Sequence, residues 1–292
     1  MKMGKFDISN IDRRWIYITI LLGALLPLFV PITFAPKISP EVKAVYDYID
    51  KLPPGSVILL SFDYGPSTLP ETEPMAEDIM KHAFINGVRV IGISLTEEGA
   101  LLALKAYNNV VKEFENYGTI KVNYGYDFVF LGYKSGRQAV ILSIGEDIRK
   151  TFPTDYQGTS IDDIPMMFNV KNYKDISLVV DISSTNTPND WITYAYSRYK
   201  VPVAVGVTAV LAANYYPFIQ TGQIIGLIGG VKGASEYEYL VNQKIQSNWG
   251  MKPKRIPAMR NMSALTVAEL LIVLFIILGN IGYFSQKGNK RR

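Results

Sequence analysis

The sequence predicts an α/β protein: a doubly wound, mostly parallel sheet with helices on both faces, flanked by N- and C-terminal transmembrane helices. Three observations predict it. Runs such as 57–63 (Val-Ile-Leu-Leu-Ser-Phe-Asp) are apolar without alternation, as strands covered on both faces are. Each such run is followed by a polar turn and then a segment of helical length, which is the order of a βαβ unit. Two long uncharged or nearly uncharged stretches stand near the ends, each about long enough to cross a bilayer.

In chain order, residues 1–14 read as a cytoplasmic tail with Lys2, Lys5, Arg13 and Arg14. Residues 15–35 read as a transmembrane helix, with Trp15 and Tyr17 at the level of an interfacial aromatic belt. A cleaved signal peptide is the rival, but Phe34-Ala35-Pro36 is a poor cleavage site. Pro27 and Pro31 kink the outer half of this helix. Residues 36–262 form the α/β domain, placed outside the membrane because the basic first tail argues for inside.

Within that domain, Val42, Val45, Tyr46, Ile49 and Leu52 have helical spacing, and Pro53-Pro54-Gly55 ends the helix. The strand 57–63 stops at a turn containing Gly65 and Pro66. A helix over about 70–85 opens with Pro70, Glu71 and Glu73, and Asn86-Gly87 closes it. A strand at 88–95 leads to Thr96, which caps a helix to about Tyr117. Residues 128–131 read as a short strand or a packed loop, and 136–150 as a helix, with a strand at 139–144 as the alternative. Pro153, Gly158 and Pro165 make 152–175 an irregular insertion. Strands follow at 176–182 and 201–207, separated by a helix from Pro188 to about Tyr199.

In the glycine-rich stretch 209–243, Gly222, Gly226, Gly230 and Ala234 recur every four residues. On a helix they form one face with almost no side chain, a candidate interface. Glycine costs roughly 1 kcal/mol per helical position against alanine, so packing within the domain or against another subunit must offset it, unless the stretch dips into the membrane or is a loop. Residues 263–284 read as the second transmembrane helix, capped by Ser263. Glu269 lies inside it, either near the headgroups or as an intramembrane functional acid. Residues 285–292 are a basic cytoplasmic tail.

The net charge of +4 comes from the two tails, so the body gives no electrostatic reason to bind nucleic acid. The absence of cysteine excludes disulfides, zinc thiolates and cysteine nucleophiles. There is no Gly-x-Ser-x-Gly elbow, no phosphate-loop spacing and no dinucleotide glycine fingerprint, and no cofactor is implied. His82 is the only histidine, which rules out a Ser-His-Asp triad and a histidine metal cluster. Beside Lys81 in mid-helix, it reads as a surface residue. The neighbours Glu77/Asp78, Glu146/Asp147 and Asp162/Asp163 point apart on a helix and read as solvated. Asp181 is different. It lies within a buried run, where a carboxylate needs a partner, and with Asp63 it is one half of a possible Mg²⁺ or Ca²⁺ site.

The turns after the strands supply Asp63, Ser67 and Thr68, then Ser94 and Thr96, then Ser183, Ser184 and Thr185, then Thr208. In an open parallel sheet these line one edge, where such folds bind ligands, although the same residue types are ordinary helix caps. Two functions are therefore expected. The first is a membrane-anchored non-enzymatic subunit that assembles with itself or with another membrane protein. The alternative is a membrane-tethered hydrolase or small-polar-ligand-binding protein using the carboxyl edge. Both take membrane lipid as a partner.

Overall fold

The computed structural model describes residues 12–30, 34–118, 120–251, 253 and 255–289. The chain divides into two compact units, Pro36–Ala258 on one hand and Met1–Ala35 with Met259–Arg292 on the other. In chain order, α1 (Arg13–Phe29) comes first. The larger unit then runs α2 (Pro40–Asp50), β1 (Val57–Asp63), α3 (Leu69–Ile85), β2 (Arg89–Ser94), α4 (Glu97–Tyr117), β3 (Phe128–Tyr133), α5 (Arg137–Glu146) and α6 (Ile148–Thr151). After three 3₁₀ turns between residues 161 and 175 come β4 (Leu178–Ser183), α7 (Thr187–Asp190), a π-helical turn Trp191–Tyr196, α8 (Ser197–Tyr199) and β5 (Val203–Val207). The unit ends with α9 (Ala209–Ala212), α10 (Tyr216–Gln220), β6 (Leu227–Gly229) and α11 (Gly230–Trp249), and α12 (Pro257–Asn289) follows.

The six strands form one all-parallel sheet in the order β3-β2-β1-β4-β5-β6, a Rossmann-like arrangement. The chain winds outward from β1 to β3, returns to the centre at β4 and winds outward again, so its direction reverses between β1 and β4. Both faces are covered, which is why β1, β4 and β5 are buried at every residue. The two-residue period of a strand sorts the side chains. Ile58, Leu60, Phe62, Val180 and Ile182 join the core beneath α2, α3, α4 and α11. Val57, Leu59, Val179, Val203 and Val205 join a second core with α5 and the π-helical turn. Ser61, Asp63 and Asp181 share the parity of this second face. The register sets Ser61 opposite Asp181 and Asp63 opposite Ser183.

The two ends of this unit are fastened to neighbouring parts of α11. The buried carboxylate of Glu236 accepts from the backbone N–H of Ser39 at 2.7 Å and from its hydroxyl at 2.5 Å. Glu238, also buried, accepts from the Ala258 N–H at 3.2 Å.

The stretch 209–243 departs from the expected single helix. Gly222 lies in the turn after α10 with φ +69°, and Gly230 opens α11 with φ +61°, a left-handed backbone that glycine adopts without strain. Gly226 precedes an edge strand and lets α2 pass close: a Cβ there would lie 2.3 Å from the Glu41 carbonyl oxygen. Only Gly230 and Ala234 are on α11, and Ala234 is inside the core. The shared small-residue face of Gly222, Gly226, Gly230 and Ala234 therefore does not form. The apolar pair Leu227-Ile228 between the glycines pairs with β5 instead.

In the smaller unit, α12 runs as one helix from Pro257, so Ser263 lies inside it and its hydroxyl bonds back to the Met259 carbonyl at 2.8 Å rather than capping an end. Its segment Pro257–Ile281 is long and apolar enough to cross a membrane by length and composition. The 17-residue α1 displays Trp15, Tyr17, Leu21, Leu22 and Phe29. Gly23 of α1 receives the Leu271 side chain of α12, since a Cβ at 23 would lie 2.3 Å from its Cδ1. Pro31, residues 1–11 of the first expected tail and residues 290–292 of the second lie outside the described residues.

Candidate carboxylate site at the sheet's carboxyl edge

Asp63 is the last residue of β1, at the point where the sheet's winding reverses, and it is fully buried. Its Oδ2 accepts from the Ser61 hydroxyl at 2.6 Å, and its Oδ1 from the Leu95 backbone N–H at 2.6 Å. Asp181, on the neighbouring strand and equally buried, faces Asp63 and the side chain of Thr187. The Thr187 hydroxyl proton is engaged elsewhere, in a 2.7 Å bond to Ser183 Oγ. Neither Asp181 oxygen receives an aligned donor.

Two carboxyl groups facing each other in a dry interior cannot both be ionised, because each charge raises the cost of the other. Burial pushes Asp63 up to about 6. Burial, and then the charge of Asp63, pushes Asp181 well above the carboxylate range. The hydrogen bonds divide the roles. Asp63 has two donors, which favour its charged form, whereas Asp181 lacks donors and is the more readily protonated of the two. The pair titrates as a unit.

Other polar groups surround it. Asp190 lies 3.7 Å from the Arg137 guanidinium and accepts from Gln138 at 3.2 Å. The Tyr215 hydroxyl and Trp191 Nε1 are buried without a hydrogen-bond partner among the described residues. Burial raises the Tyr215 phenol, with Asp181 and Asp190 acting in the same direction, and its ring packs in the core on the pair's side of the sheet.

The remaining turn residues expected here line the same edge, but most are engaged locally. Ser94 Oγ donates within reach of the Phe62 and Thr96 carbonyls, at 2.7 and 2.6 Å. Thr96 occupies the N-cap of α4. Ser183 Oγ lies 3.3 Å from the Asp63 carbonyl and accepts from the Thr185 N–H at 2.9 Å. Ser184 N–H donates to the Asp63 carbonyl at 3.2 Å. Thr68 Oγ1 turns back to the Gly65 carbonyl, and Thr208 is buried before α9. Ser67 and Thr185 are exposed. From sequence alone, Ser61, Thr187, Asp190, Arg137 and Tyr215 have no role at this edge: Asp190 reads as part of a helix start, and Tyr215 with Tyr216 as a cluster that can mark an interface. Ser61 had a signal, standing two residues before Asp63 on the same strand face. Tyr215 had none, since it arrives from beyond β5.

Two other expectations are corrected on the opposite face of the sheet. His82 is fully buried, with Nδ1 2.8 Å from the Tyr237 hydroxyl, Nε2 3.2 Å from Asp50 and its ring stacked on Tyr46. Glu77 and Asp78 are buried as well. Glu77 meets Asn109 at 2.6 Å and Arg255 at 3.3 Å, while Lys81 pairs with Asp78 and Glu113, each at 3.0 Å. Helix α11 packs over α3 and seals a face that local spacing would leave in water. Among the described residues, no three or more His, Cys, Asp or Glu side chains are grouped to hold a metal ion. A surface groove of about 410 Å³ beside β3, lined by Phe130, Tyr133, Phe152 and Tyr156, does not include the carboxylate pair.

Compared with known proteins, the chain matches no family model, no curated protein and no solved structure.

Proposed function

We propose that the body is a membrane-tethered binding protein or hydrolase for a small polar ligand, working at the carboxyl edge between β1 and β4. One observation carries this reading: the buried Asp63–Asp181 couple at the winding reversal, the place where open α/β sheets take their ligands. An apolar pair there would be neutral or stabilising, so the couple is better explained by use than by stability. A protonated acid beside an ionised one is also a general acid next to a general base. A ligand bearing hydroxyl or amino groups donates to Asp63 and accepts from Asp181. It approaches past Arg137, which is half exposed, and the turn before Asp190. The assembly reading has no comparable support once the glycine face is gone. In this proposal α1 and α12 both span the bilayer, both tails are cytoplasmic and the body lies outside.

The test is thermal unfolding of the full chain in detergent with EDTA, against a panel of sugars, polyols, amino acids and amines. A class of compound should raise Tm in the wild type and fail to do so in Asp63→Asn and Asp181→Asn, with circular dichroism confirming that both variants fold. If no compound shifts Tm, or if every shift survives both substitutions, the reading is wrong.

A further inference from the structure

We infer that the Asp63–Asp181 couple binds a hard divalent cation of the Mg²⁺ or Mn²⁺ class. This deepens the ligand-site reading and rests on it. A fully buried carboxylate with no aligned donor on either oxygen is unusual, because unpaired buried acceptors are costly. Asp181 is such a group, and the register sets it opposite Ser61, two residues from the equally buried Asp63 on the same face of the sheet. Asp63 is held in place by Ser61 and Leu95, yet each carboxylate oxygen has a second lone pair to offer.

Tyr215 is a separate observation. Its hydroxyl is buried and has no hydrogen-bond partner among the described residues, and its ring packs in the core on the carboxylates' side of the sheet. It comes from a different element than either acid and brings a further unpartnered oxygen to that side. The nearby side chains of Ser61, Asp63, Asp181, Thr187 and Tyr215 all offer oxygen, and none offers sulfur or imidazole. That chemistry selects hard cations. Asp190 is drawn off by Arg137 and Gln138, so two carboxylates remain. Two suffice for Mg²⁺, which keeps several waters, but they supply few of the six to eight oxygens that Ca²⁺ takes.

Calorimetric titration of the EDTA-stripped, dialysed full chain in detergent with MgCl₂, MnCl₂ or CaCl₂ tests this. Saturable one-site binding of Mg²⁺ or Mn²⁺ is expected, with Ca²⁺ weaker. Asp181→Asn should weaken it at least tenfold, and Asp190→Asn should leave it within threefold. Should Asp181→Asn not fold, Asp63→Asn takes its place with the same expectation. The inference is overturned if the wild type shows no saturable site, or if the carboxylate variants bind as the wild type does. A small-molecule shift that persists in EDTA while no cation binds removes the cation and spares the ligand site. Cation binding with no small-molecule shift supports the ion and removes the polar-ligand reading.

Discussion

Sealed among Tyr46, Tyr237 and Asp50, the imidazole of His82 is held neutral, because burial pushes it down to about 4 against the hydrogen bond it donates to Asp50. In the unfolded chain it titrates near 6.5. Between those values the unfolded state binds more protons, so His82 contributes stability above about pH 6.5 and loses it as the pH falls toward 4. The loss is about 3 kcal/mol at most. Denaturant unfolding from pH 7 to 4 should show His82→Gln less stable than the wild type at pH 7, with the gap closing on acidification. A gap that stays constant would falsify the buried neutral imidazole. From sequence alone this residue reads as exposed, because its neighbour is a lysine and its cover arrives more than 140 residues later. Asp63 and Asp181 were legible one at a time, as acids closing or interrupting apolar runs. Their joining in one site was an expectation from those runs, and what the sequence lacked was the pairing of β4 beside β1 that brings them together.

At the scale of elements, α3 is the least expected, since nearly every residue from Thr72 to Phe84 is buried. Its charges survive there as pairs. Replacing Lys81 by Met leaves Asp78 and Glu113 buried without their cation, and chemical denaturation should show a loss of about 3–5 kcal/mol. Helix α4 begins on the backbone of β1, where Gly99 leaves no room: a Cβ would lie 1.9 Å from the Phe62 carbonyl oxygen. Gly99→Ala gains about 1 kcal/mol of helix propensity, but the clash outweighs it, and a net loss of about 1–3 kcal/mol is expected in the same assay. Strand β1 matches its apolar run residue for residue, because burial on both faces leaves no ambiguity of period. The glycine-rich stretch misled for the opposite reason. A four-residue spacing imitates a helix face, and the same glycines serve equally at the left-handed φ values found at Gly222 and Gly230, so residue type alone does not tell the two uses apart.

For the whole molecule, the parallel α/β sheet was legible because strand and helix periods alternate along the chain, but the strand order is a tertiary property and came only with the structure. The membrane arrangement is testable directly. In sealed right-side-out vesicles, added protease should digest the body and leave an N-terminal epitope tag intact, and inverted vesicles should give the reverse. Digestion of tag and body from the same side would exclude the two-pass arrangement. Ser39 and Ala258, at the entry and exit of the body, are both tied to α11 through Glu236 and Glu238. Doorway and way out are therefore latched to carboxylates two residues apart on a single helix.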